Sequence, residues 1–115
     1  MSIPRIVLAS DDLNARARVL AAAADLDVDL VTVGPTGFSG ALSSAALLIL
    51  DLDRGREPAL DELGAVAADD LPRSVVGFLS HVDAGLAAAA RAAGCKAIPR
   101  GRFWGELPDL LRSVT

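Results

Sequence analysis

The segment Ala46–Asp51 constrains the fold more than any other part of this chain. It consists of five apolar residues that end in a carboxylate, and charged, glycine-containing sequence follows from Asp53 to Arg56. A short apolar run closed in this way predicts a strand buried on both faces, as in a parallel sheet covered by helices. Asp51 would then lie at the carboxyl edge of the sheet, where open α/β sheets bind ligands.

Strand and helix patterns alternate along the rest of the chain. Predicted strands cover residues 5–9, 28–33, 46–51, 74–79 and 95–98. Each is followed by a helical pattern, and the second of these is short, over residues 36–44. Alternation of this kind predicts a parallel sheet with right-handed crossovers and helices on both faces.

Several details of the helices follow from residue type and spacing. Ser10, Asp11 or Asp12 would cap the first helix, and Asp83 and Gly94 would begin and end the helix over residues 84–93. A basic turn over residues 100–102 is predicted to precede the last helix, with Pro108 close to the start of that helix. The residues predicted to face the core are Leu13, Ala17, Leu20, Ala21 and Ala24 in the first helix and Leu60, Leu63 and Ala67 in the third.

The predicted fold is a single doubly wound α/β domain over residues 1–115, with five parallel strands. The common order for such a sheet is 2-1-3-4-5, in which strands 1 and 3 are neighbours. Their carboxyl ends would bring Asp11, Asp12 and Asp51 into one pocket.

Composition narrows the classes of partner and location. The chain of 115 residues has a net charge of −4, which argues against nucleic acid or an anionic membrane as a direct partner. One cysteine excludes an intramolecular disulfide, and no apolar stretch reaches the roughly 20 residues that span a bilayer. The first residues lack the pattern of a signal peptide. A cytoplasmic protein is the expectation.

Three carboxylates in one pocket repel one another unless they are protonated or a cation neutralises them. Mg²⁺ suits oxygen ligands, so Asp11, Asp12 and Asp51 are candidate metal ligands. Asp51 could then act as a nucleophile toward a phosphoryl donor, while Ser80 hydrogen-bonds a phosphoryl oxygen. Arg100 or Arg102 would supply a further positive charge.

Simpler interpretations of the same residues stay open. Asp11 and Asp12 would serve as helix caps, Asp51 as the end of a strand and Ser80 as a turn residue. Arg100, Arg102, Phe103 and Trp104 form a candidate interface, since arginine and aromatic residues are enriched at interface hot spots. The alternative is that the two aromatic residues dock the last helix.

These residues resemble the receiver domain of two-component response regulators, a CheY-like member of the flavodoxin-like folds. The resemblance covers nearly the whole chain and rests on Ser10–Asp12, Leu50–Asp51, Leu79–Ser80 and Ala93–Gly94. It implies that Asp11 and Asp12 are the metal-binding pair, that Asp51 is the phosphoacceptor and that Ser80 responds to phosphorylation. It also implies a histidine kinase or an effector protein as partner, and a homodimer through the face formed by the helix over residues 84–93, strand 5 and the last helix.

The sequence also departs from the receiver pattern. No lysine follows strand 5, strand 5 has no aromatic residue, and His81 follows Ser80 where receivers have a small residue. These departures favour a pseudoreceiver, a signalling module that acts through protein contacts without phosphorylation. The alternatives are a single-domain response regulator phosphorylated on Asp51 with Mg²⁺ and a small ligand-binding or enzymatic domain of the same fold.

Overall fold

A computed structural model describes residues 3–115; the first two residues of the predicted domain lie outside this range. Five strands form one parallel sheet in the order β2-β1-β3-β4-β5, which confirms the predicted fold and topology. Ala9 at the end of β1 pairs with Leu50 near the end of β3, so these carboxyl ends are adjacent. The strands are β1 (Arg5–Ala9), β2 (Asp29–Val33), β3 (Ala45–Asp51), β4 (Ser74–Leu79) and β5 (Lys96–Pro99).

Residues 3–115 contain four α-helices: α1 (Leu13–Ala23), α2 (Arg56–Ala65), α3 (Ala84–Ala93) and α4 (Arg100–Ser113). The prediction of a helix over residues 36–44 was wrong, because that segment contains only a 3₁₀ turn at Ser39–Ala41. Gly37, at a φ of 79°, is incompatible with a continuous helix. Phe38 and Leu42 nevertheless cover the sheet as buried residues. None of the helices in this range is long and apolar enough to cross a membrane.

Strand β3 is buried on both faces, as its continuous apolar sequence predicted. Leu48 and Leu50 belong to the core that includes residues of α2 and α3, whereas Leu47 and Ile49 belong to the core that includes residues of α1 and α4. Successive side chains of a strand point to opposite faces, so one strand serves both cores. This places Asp51 at the end of a strand that is buried from Leu47 onward.

The prediction for the buried face of α1 was wrong. Ala15, Val19 and Ala23 face the core, whereas Leu13 is 79% exposed and Leu20 is 61% exposed. Both faces carry apolar residues at helical spacing, so periodicity alone does not distinguish them. Arg16 orients the helix instead, because its guanidinium donates to the Ser10 carbonyl at 2.5 Å and to the Val33 carbonyl at 3.3 Å.

Two other helices also differ from the prediction. Helix α2 buries Ala59 and Leu63, whereas Ala67 lies beyond its end and is exposed. Helix α4 begins at Arg100, so the predicted basic turn is its first turn and Pro108 lies in its interior. Pro108 has no N–H for the helical ladder, and the helix persists because Phe103, Leu107 and Leu111 are buried against the sheet.

Gly77 lets β4 lie close to the segment after β3. A Cβ atom at this position would lie 2.6 Å from Leu52 Cδ1 and 3.1 Å from Cys95 Sγ, and both neighbours are buried. We expect Gly77→Ala to lower the free energy of unfolding by about 1–3 kcal/mol, measured by urea denaturation. Gly105→Ala is the control, because a Cβ there meets nothing within 4 Å and alanine favours the helix. Equal stability of the two variants would contradict the prediction.

Candidate functional site at the carboxyl edge of the sheet

Asp51 is the last residue of β3, and its side chain is 0% exposed. Both of its oxygens accept hydrogen bonds. Ser10 Oγ, directly after β1, donates to Oδ2 at 2.6 Å, and the Asp53 N–H donates to Oδ1 at 3.1 Å. Burying a carboxylate without hydrogen-bond donors would cost much free energy, and these two donors offset part of that cost. Because each donor binds a different oxygen, they also hold the Asp51 side chain in one orientation.

Arg100 lies at the centre of the acidic residues at this edge. Its Nη2 donates to Asp12 Oδ2 at 2.5 Å, and its Nη1 donates to Asp53 Oδ2 at 2.8 Å. Nη1 also lies 4.0 Å from Asp51 Oδ1. One guanidinium therefore links residues that follow β1 and β3 to the first residue of α4. Of the two predicted cations, Arg100 is the one at this edge, because Arg102 pairs with Glu106 on the exposed side of α4.

Aromatic rings pack beneath Arg100. Its Cζ lies 4.8 Å from the ring centroid of Phe78 and 6.0 Å from that of Trp104, within the range of cation–π attraction. Phe103 is fully buried and stacks on Phe78 at 4.9 Å, so it belongs to the core. Trp104 is half-buried, and the Arg18 guanidinium covers it at 4.7 Å. Of the four candidate interface residues, Arg102 is the most exposed.

Asp53 was not predicted as a site residue. It lies in the 3₁₀ turn Leu52–Arg54, where Oδ1 accepts from the Ser80 N–H and Oδ2 from Ser80 Oγ, both at 2.9 Å. Ser80, which was predicted to hydrogen-bond a phosphoryl oxygen, therefore donates to a carboxylate of this chain. The spacing of Asp51 and Asp53 was the only signal in the sequence, and the turn that directs both toward Arg100 is a feature of the folded chain.

Asp12 and Asp11 have different surroundings. Asp12 caps α1, as one of the three predicted candidates, with Oδ1 accepting from the Asn14 N–H at 3.0 Å. Its other oxygen faces Arg100. Asp11 lies 3.7 Å from Arg54 at the surface, with its side chain 58% exposed, and it does not contact Arg100. The structure thus groups Asp12 and Asp51 with Asp53 around one cation.

The pKa values of these carboxyl groups differ in direction. Burial raises the pKa of Asp51 above its ordinary value, and the bonds from Ser10 and Asp53 only partly offset this effect. Burial also acts to raise the pKa of Asp12 and of Asp53. At Asp12, the N–H groups of α1 together with Arg100 outweigh the effect of burial, so the pKa is lowered. At Asp53, the hydrogen bonds from Ser80 together with Arg100 outweigh it, and this pKa is lowered as well.

We expect Asp51→Asn to keep or raise the stability of the fold at pH 7. Because the pKa of Asp51 is raised on folding, its stabilising contribution is full below the unfolded value of 3.8 and is lost as the pH rises through the folded value. Asparagine stays neutral and keeps one oxygen for Ser10. Urea denaturation of both proteins at pH values from below 3.8 to 7 should show that the free energy of unfolding of the variant rises relative to that of the wild type as the pH rises. If the variant instead became more stable relative to the wild type as the pH fell, the predicted direction of the pH dependence would be wrong.

The residues as placed do not fit the predicted Mg²⁺ site. Arg100 already fills the space between Asp12 and Asp53, whose carboxylate oxygens accept hydrogen bonds from its guanidinium. Within residues 3–115, no group of three or more His, Cys, Asp or Glu side chains is arranged to hold a metal ion. The role of Asp11, Asp12 and Asp51 as metal ligands stays a prediction.

A cavity of about 1040 Å³ lies elsewhere, between α3, β5 and α4, and none of the residues around Arg100 line it. Its lining includes Cys95, whose pKa burial raises to about 12. A thiol with such a pKa is protonated at neutral pH and is a poor nucleophile. Cys95 therefore adds no nucleophile to the site around Arg100, which consists of carboxylates, hydroxyls and one guanidinium.

Solved structures resemble this chain closely in fold. The chemotaxis protein CheY4 of Vibrio cholerae superposes with a TM-score of 0.79 at 12% identity, covering 99% of this chain and 100% of its own. A response regulator from Thermotoga maritima gives a TM-score of 0.75 at 15% identity, covering 98% of each chain. A CheY-like protein, TadZ, from Pseudomonas aeruginosa gives 0.69 at 22% identity, covering 97% and 99%.

The likeness is one of structure and hardly one of sequence. No protein-family model matches the sequence, and no curated protein matches it. At these identities, a superposition over nearly the whole of both chains establishes how the backbone is folded and leaves the chemistry to the site itself. The fold of this chain is therefore that of the receiver domain of response regulators.

Proposed function

We propose that this protein is a signalling module of the pseudoreceiver type, which acts through protein contacts without phosphorylation of Asp51. The observation that carries the proposal is the state of Asp51: its side chain is buried, both oxygens accept hydrogen bonds, and Arg100 lies beside it. A carboxylate that attacks a phosphoryl group needs an open oxygen and room for the incoming group.

The exposed face of α1 supports a role in protein contacts. Leu13 and Leu20, two turns apart, project into solvent, with alanines at 17, 21 and 24 on the same side. Apolar side chains grouped on one helix face suit a helix of a partner protein, because the alanines permit close approach and the leucines fill its grooves. Arg18 beside this face would favour an acidic flank on that helix.

The state of Asp51 can be tested directly. The ¹⁵N-labelled protein is titrated with Mg²⁺ and beryllium fluoride, a phosphoryl mimic, and amide shifts are followed by NMR. We expect no saturable, Mg²⁺-dependent shift at Asp51 or Ser80. Intact mass after incubation with acetyl phosphate and Mg²⁺ is expected to stay that of the unmodified chain. Saturable shifts, or the added mass of a phosphoryl group that Asp51→Asn abolishes, would overturn the proposal in favour of the phosphorylated regulator.

A genetic test addresses the contacts. In a strain that lacks the protein, Asp51→Asn is expected to restore the lost phenotype as fully as the wild type does. The double variant Leu13→Gln, Leu20→Gln is expected to fail, although both residues are exposed and its stability should match that of the wild type. Loss of function in Asp51→Asn, with the fold intact by circular dichroism, would contradict the proposal.

A further inference from the structure

We infer that this protein associates with a second copy of itself through strand β2 and the exposed side of α1, so that two sheets join edge to edge about a twofold axis. The inference rests on the proposed function in one respect, since it names a partner for the exposed face of α1. It does not depend on whether Asp51 accepts a phosphoryl group.

Strand β2 has a free edge. It is the outermost strand of the sheet and pairs with β1 alone. The Asp29 N–H donates to the Pro4 carbonyl, and the Val33 carbonyl accepts from the segment that follows β1, both at 2.9 Å. Alternate residues of a strand direct their backbone groups to opposite neighbours. The N–H and C=O groups of Leu30 and Thr32 therefore point away from the sheet.

This edge lacks the features that usually protect an edge strand. Within residues 3–115, no further strand or loop backbone bonds to Leu30 or Thr32. No charged residue occurs from Leu30 to Val33, and the carboxylate of Asp29 is paired with Arg5 at 3.3 Å. An uncharged edge with free backbone groups is a template for the strand of another chain.

The exposed leucines of α1 lie on the same side of the molecule as this edge. Leu13 precedes Arg16 by three residues and Leu20 follows it by four, so these side chains share one side of the helix. The Arg16 guanidinium reaches the Val33 carbonyl at the end of β2. Arg18 marks the opposite side, because it covers an aromatic ring of α4. A chain that lies beyond β2 would therefore contact both the edge and the leucines.

A second copy matches the strand edge. An antiparallel pair of β2 strands centred on Val31 sets Leu30 of each copy opposite Thr32 of the other. Both residues direct their backbone groups outward, so each such pair exchanges two hydrogen bonds, about four in all. The same residues contribute from both copies, as a twofold axis through Val31 requires.

The same axis pairs the two copies of α1. Strand β2 has five residues and α1 has 11, so each is about 16 Å long, and the two elements run in opposite directions beside each other. Antiparallel α1 helices centred near their midpoints bring Leu20 of one copy opposite Ala17 of the other. Leu13 then lies opposite Ala24. A large side chain thus meets a small one at each position, which suits close helix packing.

Charge and size also bear on this interface. Two copies of a chain with net charge −4 repel each other, but the side chains at the axis are uncharged, so no charge is buried there. Each copy contributes a five-residue strand and an 11-residue helix. Stable interfaces of standard size use about 20–30 residues a side, so we expect a dimer with a dissociation constant in the micromolar range.

Amide exchange with water, measured by NMR at about 30 μM and about 1 mM protein, tests the predicted edge. We expect the Leu30 and Thr32 amides to exchange at least about threefold more slowly at the higher concentration, because a second strand bonds them. Sedimentation of the same samples should give a weight-average mass that rises toward about twice that of one chain.

Variants at one edge position separate the dimer from the fold. Thr32→Pro removes an N–H that does not bond to β1, so the edge strand should tolerate it and the protein should stay monomeric at about 1 mM. Thr32→Ala keeps the N–H and should dimerise as the wild type does. If Thr32→Pro is unfolded by circular dichroism, Thr32→Lys places a charge at the edge and should also prevent dimerisation.

The leucines provide an independent test of the same axis. Leu13→Gln with Leu20→Gln should weaken association at least about tenfold, since polar side chains replace the apolar contacts between the helices. Arg102→Ala, on the exposed side of α4, should leave association unchanged.

The inference is overturned if the wild type stays monomeric at about 1 mM. It is also overturned if a dimer forms while the Leu30 and Thr32 amides stay unprotected, or if the folded edge variants dimerise as the wild type does. Such a dimer would use another face, for example that of α3, β5 and α4. Phosphorylation of Asp51, by contrast, would overturn the proposed function and leave the dimer to be judged on these measurements.

Discussion

Arg100→Ala is expected to lower the free energy of unfolding at pH 7 by about 2–4 kcal/mol. Removal of one partner from a fully buried ion pair costs about 3–5 kcal/mol because an uncompensated charge remains buried. Asp51 is fully buried and would keep its charge beside the vacated space. The loss of stability should still be somewhat smaller than for a fully buried pair, since the Arg100 side chain is 23% exposed. Urea denaturation of the wild type and the variant measures the difference.

The loss should depend on pH with a definite sign. Without Arg100, the pKa values of the neighbouring carboxyl groups should be higher than in the folded wild type, so the loss of stability in the variant is expected to become smaller as the pH falls from 7 toward about 4. In the wild type the pKa values of Asp12 and Asp53 are lowered, so their contribution is present above the ordinary value of 3.8 and is lost as the pH falls below it. Both effects make the difference in stability between the wild type and Arg100→Ala smaller in acid.

Two matched variants test whether the charge or the packing of Arg100 is responsible. Arg100→Lys keeps the charge but not the forked guanidinium that reaches Asp12 and Asp53 together. Its free energy of unfolding should therefore lie between those of Arg100→Ala and the wild type. Arg102→Ala should change stability by less than about 0.5 kcal/mol, since its pair with Glu106 is exposed. Equal losses for Arg100→Ala and Arg102→Ala would contradict a central role for Arg100.

Phe103→Ala is expected to lower the free energy of unfolding by about 3–5 kcal/mol. Phe103 is 0% exposed, stacks on Phe78 at 4.9 Å and meets the Trp104 ring at 5.1 Å. Its truncation would leave a cavity beneath α4, the helix that begins with Arg100. The same denaturation experiment gives the value, and the slope with denaturant should stay close to that of the wild type.

Leu20→Ala serves as the control for Phe103→Ala. Leu20 was predicted to be buried, but it is 61% exposed, and its truncation should cost less than about 0.5 kcal/mol. Val19→Ala, on the opposite face of α1, removes side-chain atoms from the core and should cost more than Leu20→Ala. A larger loss at Leu20 than at Val19 would mean that α1 is rotated relative to the structure described here.

The site was only partly predictable from sequence. Asp12 and Asp51 were placed together because they follow strands that a doubly wound sheet makes adjacent. Asp53 was missed because its part in the site comes from a 3₁₀ turn and from Ser80, 27 residues away. Arg100 and Arg102 were equivalent candidates in the sequence, and the position at which α4 begins sends one to the carboxylates and the other to solvent.

The sequence by itself determined the strands, their order and the caps at Asp83 and Gly94, and it narrowed the cap of α1 to three residues. These features follow from short-range patterns: apolar runs, alternation with helices, and side chains that satisfy nearby N–H groups. Tertiary structure alone decided which apolar face of α1 is buried, which arginine lies among the carboxylates and that Asp51 is closed off. Those outcomes depend on packing and electrostatics between residues far apart in the chain, such as Arg100 and Asp12, and local pattern carries no record of such contacts.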